Sequence, residues 1–182
     1  IIYDEVHLLP APIFRITADL QARRRLALTA TLIREDGREG DVFTLIGPKR
    51  YDVPWRELED QGFIAAATCT EIRVHQSESR QMEYAIAPRR QQFRIAAENP
   101  QKLTVVQRLL GKTAGHRTLI IGEYLDQLRA IAAAVTFPLI TGKTSQKERE
   151  RLFQAFREKE IVGLVLSRVG NFALDLPDAD ML

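Results

Sequence analysis

The stretch TLIIGEYLDQLRAIAAAVTFPLI, residues 118–140, holds a strand, a helix and a second strand in 23 residues. Thr118–Ile121 is a short apolar run, too brief for a helix and rich in β-branched residues. Leu125, Leu128, Ala132 and Val135 then recur at the spacing of one helix face, and Leu139-Ile140 is apolar again. The pattern continues outward. Leu152 and Phe156 share one face of a further predicted helix, and residues 161–166 form a third buried strand. On the other side, Leu103, Val106 and Leu110 mark a helix. Short buried strands alternating with helices predict a parallel sheet covered on both faces, an α/β fold.

The first half is less regular. Residues 1–3 read as the end of a buried strand and residues 26–29 as a second one. Between them Ile13, Ile16 and Leu20 predict a helix closed by Arg23-Arg24-Arg25, whose charge suits its C-terminal dipole. The irregular stretch 48–66, with Gly47-Pro48 before it and Pro54 and Trp55 within it, is the expected boundary between two α/β units. Residues 68–74 alternate like a half-exposed strand, and the polar segment 78–100 reads as helical, interrupted by Pro88. There are no internal repeats and no low-complexity tract.

Of the 182 residues, 45% are apolar, ample for a packed core, and the formal net charge is +2. That balance permits a nucleic-acid partner without arguing for one. A single cysteine, Cys69, leaves no internal disulfide and no four-cysteine metal site, and points to a reducing compartment. The three histidines, His7, His75 and His116, lack metal-ligand spacing. The longest nearly apolar run, 130–140, is too short to span a bilayer, and no segment reads as a signal peptide. The expectation is a soluble cytoplasmic protein with no membrane partner, nuclear if the source is eukaryotic.

Chemistry concentrates in the opening residues, IIYDEVHLLP. Asp4 and Glu5 stand at the C-terminal end of a parallel-sheet strand, where open α/β proteins bind ligands. In nucleotide hydrolases one such acid holds Mg²⁺ on the phosphates, and a second can orient or deprotonate the attacking water. Two acids at a strand end can equally be a solvated pair, and His7 alone a structural histidine.

The string Asp4-Glu5-Val6-His7 resembles motif II of the DExH superfamily 2 helicases, and Thr29-Ala30-Thr31 resembles their motif III. Residues 28–36, LTATLIRED, narrow the resemblance to the XPB helicases. It runs on through Leu45 to Lys49, Trp55 to Leu58, Gly62 to Ala65, Asn99 to Lys102, Thr144-Ser145-Gln146 with Glu148-Arg149, Ser167 to Gly170 and Asp175 to Ala179. The resemblance implies Asp4 on Mg²⁺, Glu5 activating water and His7 touching the motif III hydroxyls of Thr29 and Thr31. It also implies that Arg34, Glu35 and Asp36 form a triplet used in DNA unwinding, where the residues alone would allow a self-paired polar turn.

Thr141-Gly142-Lys143-Thr144 looks like the end of a P-loop, but the first glycine of that motif would fall at Phe137. The segment reads instead as a strand-to-helix turn where Thr144, Ser145 and Arg149 could grip a DNA phosphate. Helix capping by Thr144 or Ser145 is the competing reading. Gly170 and Asp175 occupy the place of motif V, facing nucleotide and DNA, although Phe172 and Ala173 stand where the family often carries hydroxyls. Glu123-Tyr124 departs from the family's motif IV and receives no contact role. Residues 78–99 take the place of the XPB thumb and are short for it; Arg80, Arg89, Arg90 and Arg94 are available for a DNA backbone or form a solvated face.

The resemblance therefore implies RecA-like parallel sheets with flanking helices: the end of lobe 1 and most of lobe 2. Residues 1–50 would close lobe 1, 51–77 would connect the lobes and enter a first strand, 78–100 would form the thumb-like segment and 101–182 lobe 2. The expected activity is that of an ATP-dependent DNA helicase or translocase in DNA repair or transcription-coupled DNA opening. ATP and Mg²⁺ are the implied cofactors, and forked DNA, or duplex with a single-stranded region, the implied substrate. A nuclease or a transcription–repair complex would suit the family as partner. Motif I and the arginine-rich motif VI are not among these residues, so the chain reads as a piece of a longer helicase that does not turn over ATP alone. A non-catalytic DNA-binding or regulatory remnant, or another DExH enzyme such as an RNA helicase, stays open at this point.

Overall fold

A computed structural model describes residues 1–30, 37, 39–167, 176 and 179–182. They divide into two compact units, Ile1–Cys69 and Thr70–Leu182.

The second unit is built around a strand with no exposed residue. β5 (Gly163–Leu166) lies between β3 (Thr118–Ile121) and β4 (Leu139–Ile140), and both pairings are parallel. The register sets Thr118 beside Gly163 and Ile140 beside Leu166. Alternation along β5 sends its side chains to two different cores. Leu164 and Leu166 join Leu119, Ile140 and Leu176 against Leu152 and Phe156 of α8 (Gln146–Arg157). Val165 instead meets Leu128, Ile131 and Ala132 of α7 (Leu125–Val135), with Leu103 and Val106 of α6 (Gln101–Lys112) packed behind. On the edge of β3 away from β5, Met181 forms a parallel bridge with Thr118. The predicted α/β sheet, covered on both faces, is what folds.

The start of β5 is closed by an aromatic lid. A Cβ on Gly163 would lie 2.1 Å from Cε2 of Phe137, so only glycine fits beneath that ring. Gly163→Ala is expected to destabilise the protein by about 1–3 kcal/mol, the range for overpacked cores. A urea titration followed by far-UV circular dichroism measures it, and an unchanged midpoint would mean that Phe137 swings away freely.

Preceding this sheet, α4 (Glu78–Ile86) and α5 (Arg89–Ala97) form a helical hairpin. Pro88 makes the break because the residue before a proline disfavours helical backbone, and proline itself suits a helix start. The predicted strand at 68–74 does not form; those residues have no ladder partner among the described residues. Alternation prepares one face for burial, but a strand exists only where a neighbour takes its backbone hydrogen bonds.

In the first unit, β1 (Ile2–Tyr3) and β2 (Leu26–Ala27) pair in parallel, with Tyr3 opposite Ala27. The pairing extends past the strands through Leu28 N–H to Tyr3 O and Val6 N–H to Leu28 O. One face of this pair covers Val6, Leu9 and Ala18 together with Val42 of α2 (Glu39–Ile46). The other leaves Ile2 at 70% and Leu26 at 52% exposure. The helix expected through Leu20 is shorter. α1 (Pro12–Arg15) tightens into a 3₁₀ turn over Ile16–Asp19, and the three arginines lie beyond it. One of them still serves the turn's end: Arg25 donates to the carbonyls of Ala18 (2.7 Å), Leu20 (3.0 Å) and Leu45 (3.1 Å). Trp55, expected in a connection, opens α3 (Trp55–Asp60).

Candidate active site

Parallel pairing of β1 with β2 brings residues 22 positions apart to one end of the first unit. Asp4 and Glu5 leave the C-terminal end of β1, and His7 follows in a 3₁₀ turn, Val6–Leu8. His7 Nδ1 lies 2.9 Å from Thr29 Oγ1 and 3.3 Å from Glu5 Oε2. The imidazole therefore stands between a carboxylate and a hydroxyl on adjacent strand ends. A protonated Nδ1 donates to either oxygen, whereas a bare Nδ1 accepts from the Thr29 hydroxyl. Nδ1 is thus within reach of both oxygens, and the tautomer decides which bond it makes.

Glu5 occupies the left-handed region at φ 49° and ψ 46°. A residue with a Cβ incurs about 1–2 kcal/mol there, and such strain gathers at functional sites. Its N–H is accepted by Asp4 Oδ1 at 2.9 Å, so the sharp turn fixes both acids at once. Both carboxylates remain exposed. Among the described residues, no group of three or more His, Cys, Asp or Glu side chains gathers as a metal cage. Asp4 fits the other mode of Mg²⁺ binding, in which one carboxylate oxygen joins waters and substrate phosphates. Thr31, Arg34, Glu35 and Asp36 lie outside the described residues, as do Gly170 and Asp175.

In the second unit, the turn from β4 into α8 is locked by its own hydroxyls. Thr144 Oγ1 accepts from the Thr141 N–H at 2.9 Å, and Thr141 Oγ1 from the Lys143 N–H at 3.2 Å. Ser145 Oγ caps α8 by accepting from the Glu148 N–H at 3.3 Å. Capping is thus real at Ser145, while Thr144 braces the turn. Each of these oxygens accepts, and each hydroxyl still carries one O–H that can donate. Arg149, one turn into α8, has a buried Nε with no hydrogen-bond partner among the described residues. A buried donor without an acceptor is a rare feature that asks for a ligand or a functional reason. Glu148 is held below the ordinary carboxylate range by its hydrogen bonds with Arg151, which keep the first turn of α8 negatively charged.

The four arginines of the hairpin separate into two kinds. Arg80 donates to the carbonyls of Glu98 (2.9 Å) and Ile95 (3.5 Å). Arg94 bonds Glu98 Oε1 at 2.8 Å and Asp126 Oδ2 at 3.0 Å. The hydrogen bond with Glu98, then that residue's charge, holds the Arg94 guanidinium above its ordinary range. Arg89 and Arg90 are exposed and make no ion pair among the described residues. Sequence reasoning had treated all four alike. Asn99, in the Asn99 to Lys102 segment that carries the resemblance but without any assigned role, is buried.

The chain matches proteins of known kind along its whole length. Residues 58–182 match the family described as ERCC3/RAD25/XPB C-terminal helicase. The chain is 58% identical over 179 residues to the DNA 3'-5' helicase XPB of Kineococcus radiotolerans, covering 98% of this chain and 32% of that protein. Identity to the DNA 3'-5' helicase XPB of Mycobacterium tuberculosis is also 58%, over 98% of this chain and 33% of that protein. The general transcription and DNA repair factor IIH helicase/translocase subunit XPB/SSL2 of Saccharomyces cerevisiae is 35% identical over 186 residues, 100% of this chain and 22% of its own length. The chain thus spans about a third of the length of the first two relatives.

Proposed function

Because the chain belongs to the ERCC3/RAD25/XPB helicase family, we propose that it is the part of an ATP-dependent 3'-to-5' DNA helicase that joins the two RecA-like lobes. Residues 1–50 close lobe 1, 51–77 connect, 78–100 form a thumb-like arm and 101–182 make most of lobe 2. The observation that carries this reading is the 2.9 Å contact between His7 and Thr29, with Glu5 at 3.3 Å. It joins an acid suited to activating water to the strand end that leads into the Arg34-Glu35-Asp36 triplet. The exposed apolar face of β1 and β2 also supports a larger first lobe, since two strands alone rarely stand in water.

In this reading Asp4 would hold Mg²⁺ through its carboxylate, and the ion would supply charge neutralisation for the nucleotide phosphates. Glu5 accepts the proton of the attacking water at its carboxylate. As nucleotide is hydrolysed, His7 shifts its hydrogen bond between Glu5 and Thr29 and so relays nucleotide state toward the DNA side. The hydroxyls of Thr144 and Ser145, with Arg149, hold a DNA phosphate, and Gly170 and Asp175, in the place of motif V, contact nucleotide and DNA. DNA is the substrate, and the role lies in repair or in opening DNA for transcription, alongside a nuclease or a transcription–repair complex. No helix among the described residues is long and apolar enough to cross a membrane.

Strand displacement by the full-length protein tests the proposal. A DNA fork with a 3' single-stranded tail should be opened only with ATP, and an RNA fork of the same sequence should stay closed. Opening of the RNA fork alone would place the protein among RNA helicases.

A further inference from the structure

The α4–α5 hairpin is mounted on the second unit by a built joint. Asn99, at 4% exposure, spends both ends of its carboxamide there. Its Nδ2 donates to the His75 carbonyl at 3.0 Å, just before α4, and its Oδ1 accepts the Gln101 N–H at 3.1 Å, at the start of α6. Its own carbonyl accepts the Lys102 N–H at 3.0 Å. The chain entering the hairpin, the chain leaving it and the next helix therefore meet at one side chain. A second tie lies farther out. Arg94 on α5 bonds Asp126 at the start of α7, and Asp126 is also bonded by Arg129 at 3.0 Å. α7 follows the C-terminal end of β3, the edge where a parallel sheet places its chemistry.

What the joint holds out is basic. Residues 78–97 carry four arginines against two glutamates, a balance of +2. Since Arg80 and Arg94 are used inside the joint, Arg89 and Arg90 are the arginines left for a partner, beside the exposed Phe93. Exposed cations with an aromatic nearby suit the phosphates and bases of a nucleic acid.

We infer that Asn99 is a positioning residue: by tying the root of the α4–α5 hairpin to α6 it sets where Arg89 and Arg90 meet DNA. The inference rests on the proposed DNA-dependent ATPase. It is tested in the full-length protein by ATPase rates over a range of duplex DNA concentrations. Asn99→Asp keeps the acceptor for Gln101 and replaces the donor to His75 by a carboxylate oxygen facing its carbonyl; Asn99→Ala loses both. Asn99→Asp should raise the DNA concentration for half-maximal stimulation about fivefold, the worth of one ordinary hydrogen bond, and Asn99→Ala at least as much, each with the plateau rate within about twofold. Removing Arg89 and Arg90 together should raise it as well, and should add little on top of Asn99→Asp, as expected for groups acting through one arm. Arg94→Gln, at an exposed position, carries the test if the Asn99 variants do not fold, and should shift the same constant in the same direction. A lower plateau with no shift in half-saturation, or full additivity with the Arg89 and Arg90 changes, would overturn the inference and leave the ATPase reading standing. A wild-type protein that DNA does not stimulate would remove both.

Discussion

Glu5→Gln in the full-length protein should stop ATP turnover while leaving the fold and DNA binding in place. The expected fall in kcat is about 10²–10⁴-fold, the range for losing a positioned general base. Glutamine matches glutamate in size and retains an oxygen for His7 Nδ1, 3.3 Å away in the wild type. It cannot accept a proton from water. Its folding cost should be small, because Glu5 is exposed and its left-handed backbone is as strained for glutamate as for glutamine. Steady-state hydrolysis at saturating DNA, beside a DNA-binding titration, separates the two effects. A rate within tenfold of wild type would take Glu5 out of the chemistry and reduce the acidic pair to a solvated strand end.

The second large effect concerns the core on which the second unit rests. Phe156→Ala should cost about 3–5 kcal/mol, as for other buried aromatics, out of a typical domain stability of about 5–15 kcal/mol. Phe156 is fully buried, and its cluster brings together Leu119 of β3, Ile140 of β4, Leu164 and Leu166 of β5 and Leu152 of α8. The Arg117 guanidinium also stands over its ring, 5.6 Å from the centroid, a contact that alanine removes as well. Hydrogen exchange at the amides of Leu164 to Leu166 reads the effect locally. Their protection should fall by about two to four orders of magnitude. Protection within tenfold of wild type would mean that the sheet does not depend on α8, contrary to the packing described.

How much of this was legible in the sequence depended on where the information lay. The three strands and two helices from Thr118 to Leu166 followed from local periodicity, because each apolar face has a partner a few residues away in the same pattern. The alternating run 68–74 carried an equally clear pattern and formed no strand, since a ladder partner is not encoded in the strand itself. The charge of Arg23-Arg24-Arg25 suits the close of a helix, yet among the described residues it is Arg25 that reaches back, across a loop that charge counting cannot see. At the site, the resemblance of DEVH and TAT to motifs II and III implies that His7 touches the hydroxyls of Thr29 and Thr31; His7 lies 2.9 Å from Thr29, and Thr31 is outside the described residues. The left-handed backbone of Glu5 has no signature in residue type, because glutamate gives no hint of a positive φ. Asn99 was hidden for a related reason. Its partner His75 lies 24 residues earlier, and only the folded hairpin brings the two together.

The most direct test of the central claim is the rate of ATP hydrolysis by the full-length protein with and without duplex DNA. Hydrolysis that rises with DNA and disappears with Glu5→Gln is the predicted result. DNA binding with no hydrolysis at any DNA concentration would contradict it and leave a DNA-binding protein that has lost its ATP site.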